Sequence, residues 1–237
     1  MEDRRLIGTI VPSSGIVTET FFHRFAPPQI DVCTGRVHFN QITQQGLSDM
    51  LTRVAVAAKD LSFAQPDVIV FSSVLAGAIS GMTVANIVEK STGVPCITGF
   101  LAMIRAIRAL GIQRPVAISP FPDELDLIFK RKLQQNGIDL ETSYRLATEG
   151  ENGEVSIRAL EQISAETVLQ AIRRADISRA DGLILNTSSI RGLDQISSIE
   201  QEVHIPILVG DQVSLWGALR EIGDMSNISS LGRLFEV

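Results

Sequence analysis

Short apolar runs alternate with longer stretches of mixed character along the 237 residues of the chain. Runs at 6–11, 31–39, 68–71, 96–98, 116–119, 140–145, 183–185 and 207–209 favour extended backbone, and several are apolar at every position, as strands covered on both faces are. Between them apolar residues fall three and four apart. Leu47, Leu51, Val54, Ala58 and Leu61 follow Thr43, whose hydroxyl suits a helix start, while Pro122, Asp123 and Glu124 open another helix that Gly137 closes. Strand and helix in steady alternation predict a parallel α/β fold. Residues 148–154, acidic and bearing Gly150 and Gly153, predict an exposed loop. The uncharged run 68–88 has the length of a membrane span. It divides, however, into Val68-Ile69-Val70-Phe71, a Ser72-Ser73 turn and a helical pattern with Gly77 and Gly81, so a buried strand leading into a closely packed helix accounts for both halves.

The chain also repeats itself. Asp67 stands six residues before Ser73, and Asp181 six before Thr187, each pair bracketing an apolar strand. Each strand is followed by a helix and then by a short strand entered through proline, at Pro95 and Pro206. The halves begin alike as well, with residues 7–11 running into Pro12-Ser13-Ser14 and residues 116–119 into Pro120-Phe121-Pro122. The expected architecture is therefore two pseudo-twofold-related lobes, each a four-stranded parallel sheet flanked by helices. Residues 1–111 with 211–237 form one lobe and 112–210 the other.

Composition narrows the function classes. A net charge of -6 with scattered basic residues argues against a nucleic-acid surface. Cys33 and Cys96 make no disulfide framework, and the acidic opening Met1-Glu2-Asp3 lacks a basic-then-apolar leader, so a cytoplasmic protein is expected, neither secreted nor in a membrane. No glycine-rich phosphate loop follows a strand, which leaves no nucleotide cofactor to expect. His23, His38 and His204 lack ligand spacing, so no metal is expected.

Ligands of parallel α/β sheets bind beyond the carboxyl ends of the strands, where helix N-termini present free N–H groups. Ser13, Ser14, Ser72, Ser73, Asn186, Thr187, Ser188 and Ser189 all fall there, and together they suit a small carboxylate held by hydroxyls, an amide and backbone donors. The competing role for such residues is to cap the helices that follow. Arg36 and His38 alternate on one strand; Arg36 either clamps the carboxylate or lies on a solvated face. Arg191 is either a ligand or a subunit contact. Asp211 and Gln212 follow the last strand, with Gln212 a further candidate contact, and Trp216 belongs to the core or to a homo-oligomer interface. Asp123 and Glu124 suit a helix dipole better than catalysis.

Read end to end, the segments Ile10-Val-Pro-Ser-Ser14 with Glu19, Asp67-Val-Ile-Val-Phe71, Thr92-Gly-Val-Pro-Cys96, Ile107-Arg-Ala-Leu-Gly111, Asp181-Gly-Leu-Ile-Leu185, Ser189-Ile-Arg191 and Asp211-Gln-x-x-Leu-Trp216 resemble the aspartate/glutamate racemase superfamily, in its maleate cis-trans isomerase and arylmalonate decarboxylase branch. The resemblance implies a site at the lobe interface and cofactor-independent isomerase, racemase or decarboxylase chemistry on a small carboxylic acid. It also implies a cysteine after the third strand of each lobe, and those positions fall on Ser73 and Thr187. The carboxylate-binding hydroxyl pair and tyrosine of the decarboxylase branch fall on Val74, Leu75 and Phe121. A thiol, with a pKa of about 8.5 that a helix N-terminus lowers, is a practical carbon-acid base, whereas an aliphatic hydroxyl acts only beside a general base. Two readings follow: an enzyme with Ser73 and Thr187 in the catalytic places, or a catalytically silent small-acid-binding protein or partner subunit on the same scaffold.

Overall fold

The structure is a computed structural model that describes residues 4–146, 155–188 and 190–237. The loop expected at 148–154 and Ser189 lie outside the described residues. Eight strands form two sheets of four. The first contains β1 (Arg5–Pro12), β2 (Ile30–Val37), β3 (Val68–Phe71) and β4 (Cys96–Thr98), in the order β2-β1-β3-β4. The second contains β5 (Pro115–Ser119), β6 (Thr142–Arg145), β7 (Gly182–Leu185) and β8 (Ile207–Val209), in the order β6-β5-β7-β8. Every pairing is parallel, and the same topology recurs in both sheets. Strands β3, β5 and β7 are buried at every residue, which is why their sequences are apolar throughout save for Ser119 at the end of β5.

Helices α1 (Ile16–Phe25), α2 (Gln44–Leu51), α3 (Val54–Ser62), α4 (Val74–Ser80), α5 (Thr83–Thr92) and α6 (Gly99–Ala109) accompany the first sheet. They are followed by α7 (Asp123–Gln135), α8 (Ile157–Glu161), α9 (Ala165–Arg174), α10 (Ile196–Val203) and α11 (Gly210–Glu221). Two expected helices are broken. The helix behind Thr43 divides at Thr52, whose hydroxyl bonds the Asp49 carbonyl at 2.7 Å and competes with the helical pattern. The run 74–92 divides at Gly81, which takes φ +56°. Among the described residues no helix is long and apolar enough to cross a membrane.

The repeated aspartates have a mechanical purpose. Asp67 Oδ2 accepts the Leu6 N–H at 2.8 Å, while the Asp181 carboxylate accepts N–H groups from Gln113 and Arg114 at 3.0 and 2.7 Å. Each fastens the start of its lobe's central strand. Two glutamates repeat the device one strand further out: Glu89 accepts the Cys96 N–H at 3.1 Å, and Glu200 accepts the Ile207 N–H at 2.8 Å. These fastenings sit at the amino ends of the strands, leaving the carboxyl ends for the hydroxyls.

Helix α11 leaves β8 of the second sheet and packs on α6, β3 and β4 of the first. The crossing is close: a Cβ on Gly217 would lie 2.8 Å from the Ala102 Cβ. Trp216 is interior rather than an interface residue, since it is buried and its indole N–H donates to the Val237 carbonyl at 3.1 Å. Removing one fastening tests the account of the repeat. Asp181→Ala should cost about 1–2 kcal/mol by stranding strand-start N–H groups. In a thermal melt that lowers Tm by several degrees, at about 2–4 °C per kcal/mol for a chain of this size, without altering ligand binding.

Candidate active site between the two sheets

The carboxyl ends of β3 and β7 open on one cavity of about 80 Å³, several times the roughly 10–15 Å³ that one water needs. Ser14, Ser72, Ser73 and Val74 line it from the first lobe, and Phe121, Asn186, Thr187 and Ser188 from the second. The Ser72 hydroxyl donates to the Ile10 carbonyl at 3.2 Å, fixing the turn after β3. Ser73 does cap α4, accepting the Ala76 N–H at 3.3 Å, yet it also lines the cavity, so the capping and cleft roles coexist. Thr187 is buried, and among the described residues its hydroxyl has no hydrogen-bond partner. Asn186 is fully buried; its amide N–H reaches Ser119 Oγ at 3.5 Å while its Oδ1 has no partner. Ser188 Oγ donates across the lobes to the Ser72 carbonyl at 3.4 Å. The remaining wall is largely apolar, with Phe39, Ile42, Leu47, Leu75, Ile157 and Leu160.

Three expected contacts are not in this cavity. Arg36 is exposed near the end of edge strand β2, where it is held by Glu19 and donates to the Ser13 carbonyl at 3.2 Å. Ser13 is exposed, its hydroxyl tied to the Phe39 main chain at 3.1 and 3.2 Å. Gln212 is fully buried on α11, accepting the Val209 N–H at 2.9 Å and donating to the Leu231 carbonyl at 2.6 Å, which makes it a strut under the carboxy-terminal segment. His38 is exposed beyond the end of β2. Asp123, exposed in the first turn of α7, pairs with Arg145 at 3.3 Å. The thiols lie elsewhere too: burial pushes Cys96 up to about 12 and also raises Cys33, and neither lines the cavity.

Two polar residues that the sequence reading passed over do line it, Thr18 and Glu161. Glu161 ends α8, whose positions Ile157, Leu160 and Glu161 share one helical face toward the cavity. Arg191 donates to the Glu161 carbonyl at 2.8 Å, so it secures the end of α8 rather than meeting a ligand directly. Thr18 leads to a second acid. Its hydroxyl donates at 2.8 Å to Asp211, which is buried at the start of α11. Among the described residues no three His, Cys, Asp or Glu side chains gather as a metal site, and the described lining contains no Lys, Arg or His.

Burial raises the Asp211 pKa from 3.8 to about 8, opposed only in part by the Thr18 hydrogen bond. The folded protein therefore keeps a proton that the unfolded chain releases between about pH 4 and 8, and the contribution of this group to stability falls as pH rises through that window. Asp211→Asn, neutral throughout, removes the penalty. Melts from pH 4 to 8 should show the variant gaining on the parent protein progressively, by several degrees at the alkaline end.

A family model described as arylmalonate decarboxylase matches residues 7–235. A maleate isomerase from Nocardia farcinica (strain IFM 10152) is 24% identical over 244 residues, covering 97% of this chain and 95% of that protein. The arylmalonate decarboxylase of Bordetella bronchiseptica is 22% identical over 237 residues, covering 97% and 96%. Among solved structures, the maleate isomerase Iso from Pseudomonas putida S16 matches with a TM-score of 0.85 at 22% identity over 98% of both chains. A variant of the Nocardia farcinica maleate cis-trans isomerase, solved with a covalently bound succinylcysteine intermediate, matches with a TM-score of 0.86 at 22% identity, also over 98% of both chains. The structural likenesses establish a shared fold of paired four-stranded parallel sheets, and with the family model spanning nearly the whole sequence, the chain belongs to the arylmalonate decarboxylase family.

Proposed function

We propose that the protein is a cofactor-independent enzyme of isomerase, racemase or decarboxylase type, acting at the carbon beside the carboxyl group of a small acid that carries an apolar substituent. The observation that carries this reading is the cavity itself, in which hydroxyl and amide groups of both lobes converge opposite an apolar wall. The Ser73 and Thr187 hydroxyls suit a carboxylate without the desolvation cost of burying a lysine or arginine. The apolar side suits an alkyl or aryl group. A maleate isomerase and an arylmalonate decarboxylase, the two named relatives, both act on small acids.

In this reading Ser73 and Thr187 orient the acid and stabilise charge developing on its carboxylate, as preorganised donors do. Hydroxyls at both positions where the family resemblance places thiols favour a second reading, a binding protein that performs no chemistry. Two free cysteines and an acidic composition support a cytoplasmic setting. A melting panel of maleate, malonate, phenylacetate, aspartate, glutamate and hydantoin, followed by incubation in D2O, separates the two. At least one acid should raise Tm, since ligand at a hundredfold excess over Kd stabilises by about 2.7 kcal/mol, and that acid should gain deuterium at its α-carbon. Stabilisation without deuterium uptake would leave the binding protein, and no stabilisation by any of them would remove both readings.

A further inference from the structure

We propose that Glu161 is the proton-transfer group of the cleft, the role that neither hydroxyl can fill; the assignment rests on reading the cavity as a carbon-acid site. Among the described residues, Glu161 is the one acidic or basic side chain in the cavity lining. Among the described residues, one of its carboxylate oxygens is buried without a hydrogen-bond partner, and no basic side chain is paired with it. Asp126 Oδ1 is likewise buried and unsatisfied but lies away from the cavity; of these two carboxylates, Glu161 alone belongs to the cavity wall. Its backbone is fixed independently of the carboxylate. Ser156 caps α8 by accepting the Ala159 N–H at 3.1 Å, and Arg191 holds the Glu161 carbonyl. Glu161 is therefore carried by a short braced helix whose other cavity-lining residues, Ile157 and Leu160, are apolar.

The step balances within the cavity. Glu161 takes the α-proton; the carbon–hydrogen electron pair moves into the neighbouring carboxylate as an enediolate, whose oxygens accept hydrogen bonds from the Ser73 and Thr187 hydroxyls. The protonated Glu161 exchanges with solvent and returns a proton to the carbon. No oxidant, reductant or metal enters the balance.

The test is Glu161→Gln, which keeps the size and hydrogen-bonding reach of the side chain but cannot accept the proton. With the panel acids in D2O the variant should keep the ligand-induced rise in Tm and lose α-deuterium uptake by at least about a hundredfold. Glu161→Ala should lose uptake equally and regain it in proportion to added formate, a rescue that a merely structural role would not show. It also serves if the glutamine variant fails to fold. Uptake undiminished in Glu161→Gln overturns the assignment while the function reading stands. Loss of the Tm shift together with uptake, without formate rescue, makes Glu161 a binding contact and likewise overturns it. Absence of uptake in the parent protein refutes the function reading and the assignment together.

Discussion

The two lobes close on the Ser72 carbonyl. A Cβ on Gly99 would stand 2.7 Å from its oxygen, so α6 can begin beside β3 only because that position is glycine. The Ser188 hydroxyl approaches the same oxygen at 3.4 Å from the second lobe and the Ser214 hydroxyl at 3.5 Å from α11. The second lobe repeats the constraint: a Cβ on Gly210 would lie 2.8 Å from the Thr187 carbonyl and 2.3 Å from Ser188 Oγ. Two glycines thus let two helices start against the strand ends. Ser72, Thr187 and Ser188, which line the cavity, also belong to the junction of the halves.

Within that frame the cavity has an unusual charge balance. Family resemblance places thiols at Ser73 and Thr187, yet the described walls hold no thiol and no cation, and two carboxyl groups approach from different elements. Asp211, kept neutral by burial near pH 7, reaches the cavity only through Thr18, whereas Glu161 lines it directly. Hydroxyls that cannot serve as carbon-acid bases remain good donors, so in the proposed reading Ser73 and Thr187 stabilise charge rather than move a proton.

The fold was legible because burial on both faces leaves a continuous signal in sequence, and the spacing of Asp67 to Ser73 and Asp181 to Thr187 carried the internal repeat directly into matching strand orders. The hydroxyls were legible because carboxyl ends of parallel strands are where helices start. The contributions of Arg36 and Gln212 were not. Alternation along β2 cannot say which face of an edge strand is covered, and only the docking of Leu231 buries the amide of Gln212. Thr18 and Asp211 meet across 193 positions, which no local pattern records. Glu161 was missed because a five-residue helix is too short to show a period.

The passage of α11 from one sheet to the other also bears on how the chain is made. The first sheet takes its strands from the first 98 residues, but its face at α6, β3 and β4 is covered by a helix that begins only at residue 210. During synthesis the earlier half would emerge with an apolar flank still bare, and Ala102 of α6, which fits against Gly217, would wait for the whole second sheet. Contacts so distant in sequence slow folding and prolong the exposure of such surface. The order of the genetic message thus makes the second lobe, the later of the two to be synthesised, a prerequisite for sealing the first.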